Sequence, residues 1–114
     1  MAERLPAKLE ATAIMRRVQA EGGFAALLRK GDPDRGALTL LLHERGEFRA
    51  VLERAMGDDF EYRWQLTESD ESLGSAEGLD RFVAARTRFD ADFWLIELDV
   101  ADTERFIAET ISSA

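Results

Sequence analysis

The stretch Phe60–Thr67, with the sequence FEYRWQLT, decides the fold class of this chain. Its apolar residues occupy every second position and are Phe60, Tyr62, Trp64 and Leu66. Successive side chains of a β-strand point to opposite faces, so this period of two predicts a strand with one buried face. The chain should therefore contain a sheet with an apolar core on one side.

Three further strands are predicted on the N-terminal side of this stretch. They cover Phe24–Lys30, Ala37–Arg45 and Phe48–Met56. The turn-forming segment Gly31–Gly36 separates the first two, and turns beginning at Gly46 and Gly57 follow the next two. Because short turns join successive strands, we expect an antiparallel meander.

A helix is predicted before these strands, over Pro6–Glu21. Proline suits the first helical turn, where its missing N–H is not needed. Apolar residues recur on one stripe of this segment with helical spacing. The glycines that follow it, Gly22 and Gly23, are expected to end the helix.

Two helices and a fifth strand complete the predicted order. One helix runs from Ser75, its expected N-cap, to about Arg88, and a final helix ends near Ile111. The strand Phe93–Val100 lies between them, giving the order α-β-β-β-β-α-β-α. We predict that residues 1–114 form a single α+β domain, with an antiparallel-dominated sheet of about five strands and three helices against one face.

The composition argues against several classes of function. The chain has no cysteine and one histidine, His43, which argues against disulfides, thiolate nucleophiles and multi-histidine metal sites. Its formal net charge is −8, and most of the negative charge lies in residues 58–114, which would repel nucleic acid. No stretch has the roughly 20 apolar residues of a membrane span, and no secretory signal is evident. We predict an acidic protein of a bacterial-type cytoplasm, without a cofactor.

The densest group of carboxylates surrounds the fifth predicted strand. Asp90 and Asp92 precede this strand, and Asp99 and Asp102 follow it. Seven extended residues span roughly 23 Å, so the two groups cannot share one cation. We interpret the first two as turn residues and the others as helix caps, and we predict no metal site.

One candidate ligand site combines two arginines of the second helix, Arg86 and Arg88, with Glu97 of the fifth strand. Guanidinium groups bind carboxylates and phosphates through paired hydrogen bonds, which suggests a small anion as ligand. A carboxylate in the middle of a strand, if buried in a pocket, is a candidate acid–base group. The alternative is that these charges pair within the protein or face solvent.

A second candidate site is an interface on the other face of the sheet. The apolar residues predicted there are Leu41, Val51, Phe93 and Leu95. If no helix covers this face, they form an apolar surface of the kind that marks an interface. The edge strands of a meander also invite pairing with a second copy. These features favour self-association.

Two segments resemble a known family most specifically: Gly22–Pro33, which begins GGF and ends GDP, and Arg88–Asp99, with the sequence RFDADFWLIELD. Nearly the whole chain is similar to a bacterial family of small uncharacterised proteins, the domain-of-unknown-function family 1491. The resemblance implies one small bacterial domain. It implies no activity, cofactor or catalytic residue.

Catalytic motifs are missing from the sequence: it contains neither a GxSxG nucleophile motif nor a phosphate-binding glycine loop. The basic pairs Arg16–Arg17 and Arg29–Lys30 lack the interleaved aromatics of a nucleic-acid surface. We predict a non-catalytic interaction or adaptor domain that binds itself or another protein. The alternative is a pocket for a small anionic ligand, or an enzymatic pocket, at Arg86, Arg88 and Glu97.

Overall fold

A computed structural model describes residues 5–67 and 71–112 of the protein. The helices are α1 Ala7–Ala20, α2 Ala76–Phe89 and α3 Thr103–Ser112, with a short 3₁₀ helix, Glu71–Gly74, before α2. The strands are β1 Phe24–Arg29, β2 Leu38–Glu44, β3 Glu47–Met56, β4 Tyr62–Thr67 and β5 Trp94–Asp99. The predicted α+β class and element order are confirmed. None of these described helices has the length and apolar character needed to cross a membrane.

The five strands form one mixed sheet in the order β1-β5-β2-β3-β4. β5 pairs antiparallel with β1 and parallel with β2, and the remaining two pairs are antiparallel. The expected meander is therefore wrong at one place, because β5 inserts between β1 and β2. This central position suits a strand whose side chains Leu95 and Ile96 are fully buried on opposite faces.

Both faces of the sheet are covered, so the prediction that the helices share one face is wrong. α1 and α3 cover the face that contains Leu40 and Ile96, which we call the α1/α3 face. α2 and the 3₁₀ helix cover the face that contains Leu41 and Leu95, which we call the α2 face. Since side chains alternate along a strand, apolar residues on both faces of β2 and β5 require two covering layers.

The aromatic stripe of the fourth predicted strand is only partly buried. Trp64 lies in the core under α1 and α3, but Leu66 is 54% exposed because β4 is an edge strand. Phe60 lies before β4, in a turn, where its φ is +63° and its side chain is 84% exposed. A positive φ is uncommon for a bulky residue. Phe60 therefore belongs to the turn and not to the extended strand that begins at Tyr62.

The loop between β1 and β2 packs tightly against the start of β5. A side chain at Gly31 or Gly36 would collide with the backbone carbonyl of Asp92, so both positions require glycine. The indole Nε1 of Trp94 donates a hydrogen bond to the carbonyl oxygen of Asp32, at 2.7 Å. The most family-specific segments of the sequence therefore contact each other, and these contacts account for them structurally.

Candidate functional site

The outer edge of β1 is the most distinctive exposed feature of the fold. β1 pairs with β5 on one side only, and within residues 5–67 and 71–112 no strand pairs with its other side. Its sequence is FAALLR, with no charge before the last residue. Phe24 is 54% exposed, Leu27 44% and Leu28 43%. The edge therefore presents open backbone hydrogen-bonding groups together with large apolar side chains.

The pairing of β1 with β5 shows which face each side chain occupies. Directly opposed residues of an antiparallel pair share a face. Ala26 lies opposite Glu97, and Glu97 lies beside Leu41 in the adjacent parallel strand, so Ala26 is on the α2 face. Leu27 lies opposite Ile96 and is on the α1/α3 face. The edge is consequently apolar on both faces of the sheet.

The end of β1 is irregular and basic. The pairing shifts between Leu27 and Arg29, so Leu28 is an extra residue in the ladder. The guanidinium of Arg29 lies 4.8 Å from the ring centre of Phe93 on the α2 face and donates to the carbonyl of Ala91. Lys30 follows and is exposed. Two cations therefore mark this end of the edge.

The beginning of β1 borders an acidic concavity of about 750 Å³. Its charged and polar lining includes Glu21, Glu97, Asp99, His43 and Arg45. The carboxylate of Asp99 accepts hydrogen bonds from the backbone N–H groups of Arg45, at 3.1 Å, and Gly46, at 2.8 Å. Asp99 thus holds the β2–β3 turn, while the two glutamates add negative charge beside the edge. The surroundings of β1 are therefore negatively charged at its beginning and positively charged at its end.

The single histidine packs beside this concavity. The imidazole of His43 lies edge-on to the ring of Phe48, with the ring centres 5.7 Å apart. Its Nδ1 atom is buried and has no hydrogen-bond partner among the described residues. Within residues 5–67 and 71–112, no three histidine or carboxylate side chains lie close enough together to hold a metal ion.

The residues of the predicted anion site lie in different surroundings. Arg86 forms an ion pair with Glu53 of β3 and stacks 5.1 Å from the ring centre of Phe82. Arg88 is exposed in the last turn of α2, and Glu97 lines the acidic concavity beside β1. Arg86 is thus already paired with a carboxylate. The anion site stays a prediction that this arrangement does not favour.

The four residues of the predicted interface are buried inside the protein. They are Leu41, Val51, Phe93 and Leu95, and each is at most 1% exposed. The interface required an uncovered sheet face, but Leu79, Phe82 and Val83 of α2 pack over these residues. They are core residues and not a surface.

The exposed apolar residues of β1 could not be identified from the sequence, because the pattern of this strand does not indicate an edge. A strand of six residues with its only charge at the end is apolar on both faces. That pattern is typical of a central strand and gives no indication of an edge. The exposure follows from the position of β1 at the rim of the sheet, where it pairs with β5.

Comparison with known proteins agrees with the fold. The sequence model of the family described as "Protein of unknown function (DUF1491)" matches residues 5–108. No curated protein matches the chain.

Solved bacterial structures resemble the chain over most of its length. The solution structure of protein Atu0922 from A. tumefaciens is 26% identical, with a TM-score of 0.69, over 88% of this chain and 89% of that one. The crystal structure of a DUF1491 family protein from Caulobacter crescentus CB15 is 27% identical, with a TM-score of 0.69, over 87% and 91%. An NMR structure of a DUF1491 family protein from the same organism is 26% identical, with a TM-score of 0.71, over 89% and 90%.

Proposed function

This chain belongs to the family of proteins of unknown function DUF1491, and we propose that it is a non-catalytic interaction domain that self-associates through the outer edge of β1. A chain without cysteine has no need of an oxidising compartment, which supports the predicted cytoplasmic location. The partner is a second copy of the chain, and the contact is strand pairing between two sheets.

The observation that carries this proposal is the unprotected character of β1. Natural sheets protect their edges with charged residues, proline, or covering segments, because open strands pair with other chains. β1 carries no charge from Phe24 to Leu28 and exposes three large apolar side chains. An edge of this kind costs solubility unless another strand covers it.

The opposite edge of the sheet supports this choice of surface. β4 carries Arg63, whose guanidinium forms an ion pair with Asp59, and the exposed Gln65 at its centre. Its side chains also alternate between polar and apolar, so one face of this edge is polar. Strand pairing at β4 would place polar side chains such as Arg63 and Gln65 in the contact, whereas pairing at β1 would join apolar residues.

The small area of the contact between the two β1 strands limits the affinity expected of the dimer. A pair of six-residue strands gives an interface at the small end of the range for specific complexes. The dimer should therefore be weak and dependent on concentration. Its population should rise across a hundredfold range of protein concentration.

The test is light scattering after size exclusion, comparing two matched lysine variants. Leu27→Lys adds a charge to the β1 edge, and Leu66→Lys adds the same charge to the β4 edge. Both leucines lie on the α1/α3 face, and they are 44% and 54% exposed. We expect the wild-type mass to rise with concentration, Leu66→Lys to behave like wild type, and Leu27→Lys to remain monomeric.

Two results would contradict the proposal. One is a wild-type protein that keeps the monomer mass of 12.8 kDa at every concentration. The other is an equal loss of association in both variants, since that would remove the distinction between the edges. Thermal unfolding of the variants should match wild type within a few degrees, because both positions are partly exposed.

A further inference from the structure

We infer that the second copy binds in a single register, with the two β1 strands antiparallel and Ala26 on the two-fold axis. This inference rests on the proposed self-association and adds to it the arrangement of the partner. The two five-stranded sheets would then join into one continuous sheet.

The antiparallel direction follows from symmetry. Most dimers of identical chains have a two-fold axis, so the same surface is used by both copies. When one strand edge meets its own copy across an axis perpendicular to the sheet, the two strands run in opposite directions. Two residues that face each other then lie equally far along the sequence from the residue on the axis, one before it and one after it.

The register about Ala26 matches side chains by face and by size. It places Ala25 opposite Leu27 of the second copy, and both residues lie on the α1/α3 face. It also places Phe24 opposite Leu28, so every pair from Phe24 to Leu28 is apolar. A small residue lies opposite a large one beside the axis, which allows the chains to approach closely.

The neighbouring register about Leu27 fails on the placement of Phe24. It would set Phe24 opposite Lys30 of the second copy, so an exposed aromatic side chain would face an exposed charged residue. This register therefore loses an apolar pair at each end of the contact.

The register about Ala25 loses apolar contacts. It would set Leu27 opposite Gly23 of the second copy and Leu28 opposite Gly22. Glycine has no side chain to cover the exposed leucines, so both would stay in solvent. Of these three registers, only the one about Ala26 places an apolar residue of the second copy opposite each of Phe24, Leu27 and Leu28.

Charges at the two ends of β1 support the same register. With Ala26 on the axis, Lys30 of one copy lies opposite Gly22 of the other, next to Glu21. Both charged residues are exposed in the single chain, where Glu21 lies 4.0 Å from the guanidinium of Arg17 and borders the acidic concavity with Glu97. The two-fold axis repeats this contact, so the dimer gains two pairings of opposite charge.

Cysteine cross-linking tests the register directly, because the chain has no cysteine of its own. Directly opposed residues of antiparallel strands have Cα atoms about 4.5–5.5 Å apart, within the range of a disulfide. We expect Ala26→Cys to form a disulfide-linked dimer under mild oxidation. The matched control is Gln65→Cys, at the centre of the β4 edge and on the same sheet face, and we expect it to stay monomeric.

Flanking cysteines separate the register from the proposed function. Ala25→Cys and Leu27→Cys should each cross-link poorly alone and readily when the two variants are mixed, since Ala25 faces Leu27 of the other copy. A protein that dimerises by light scattering but links through Leu27→Cys alone would overturn the register and leave the function intact. A wild-type protein that is monomeric would overturn both.

Charge reversal gives an independent readout of the same arrangement. Lys30→Glu and Glu21→Lys should each weaken dimerisation by about tenfold, because each creates two like-charge contacts. The double variant should recover wild-type affinity in analytical ultracentrifugation. A double variant as weak as the singles would show that the two residues do not meet and would overturn the inference.

Discussion

The two faces of the sheet are covered by helices that are attached in different ways. α1 buries Ala7, Ala11 and Val18 against the sheet, and α3 buries Phe106. In α2, by contrast, the buried residue is Gly78, and its apolar side chains are only half-buried. The α1/α3 face therefore carries more of the apolar burial that stabilises the fold.

Ion pairs from neighbouring residues of β3 connect a helix to each face. Glu53 binds Arg86 of α2, and the next residue, Arg54, lies 3.5 Å from the carboxylate of Glu10 in α1. Arg54 also stacks between two aromatic rings of β4. Alternation along β3 directs these opposite charges to opposite faces. Because α2 buries little apolar surface of its own, it depends more on its polar contacts and should be the first layer to open.

The largest expected difference between the faces comes from truncating adjacent core leucines. Leu40 lies on the α1/α3 face and Leu41 on the α2 face, and both are at most 1% exposed. We expect Leu40→Ala to lower the free energy of unfolding by about 4 kcal/mol and Leu41→Ala by about 3 kcal/mol. The cost is smaller for Leu41 because α2 can settle into the cavity.

Urea unfolding at one temperature measures this difference. Hydrogen exchange gives a second readout: Leu41→Ala should speed exchange mainly in α2, and Leu40→Ala should speed it across the whole sheet. Equal costs with identical exchange patterns would show that the two layers unfold as one unit.

The next effect concerns the two arginines that anchor the helices. The side chains of Arg54 and Glu10 are 19% and 12% exposed, and Arg54 lies 4.8 Å and 5.6 Å from the ring centres of Tyr62 and Trp64. Arg54→Gln should lower the free energy of unfolding by about 2 kcal/mol. The mostly buried carboxylate of Glu10 loses its ion pair, and the two aromatic rings lose their contact with the guanidinium. Arg86→Gln should cost about 1 kcal/mol, since its pair is more exposed.

Thermal and urea unfolding of both variants measures these costs. The matched control is Arg88→Gln, which removes an exposed arginine from the same helix as Arg86 and should change stability little. If Arg86→Gln proved more damaging than Arg54→Gln, the ion pair on the α2 face would be the stronger anchor, and α2 would not be the first layer to open.

Local sequence patterns predicted the elements well, and the reasons are physical. The alternation from Tyr62 to Thr67 and the cap at Ser75, whose hydroxyl accepts from the N–H of Gly78, depend on nearby residues alone. The position of β5 in the sheet, in contrast, does not depend on nearby residues alone. Its parallel pairing with β2 joins residues far apart in sequence, and no local signal distinguishes it from an antiparallel neighbour.

The candidate site was harder to predict, because the exposure of a side chain depends on contacts between residues far apart in sequence. Leu41 and Phe93 belong to the second apolar face that the alternation along the strands predicts. The apolar side chains of α2 that cover this face also recur with helical spacing in the sequence. The sequence does not specify which face an amphipathic helix will cover. Phe24 and Leu27 are exposed because β1 lies at the edge of the sheet, and the apolar sequence of this strand does not indicate an edge.

The smallest expected effect is an acid sensitivity on the α1/α3 face. Glu44, at the end of β2, accepts hydrogen bonds from the backbone N–H and the hydroxyl of Thr103, at 2.9 and 3.1 Å, at the first residue of α3. These bonds lower the pKa of the Glu44 carboxyl below its ordinary value of 4.5. A carboxyl whose pKa is lowered by folding contributes stability above its unfolded pKa, and that stability is lost as the pH falls toward the folded value.

Glu44→Gln should therefore destabilise the protein slightly at pH 7 and reduce the further loss below pH 4.5, the ordinary glutamate value. Unfolding in urea over a pH series measures this slope. Glu104→Gln, an exposed carboxylate in the first turn of α3, controls for the loss of one charge. An unchanged slope in Glu44→Gln would mean that the contact with Thr103 does not hold α3 on the sheet in solution. The α1/α3 face would then depend on apolar burial alone, which would sharpen its contrast with the α2 face.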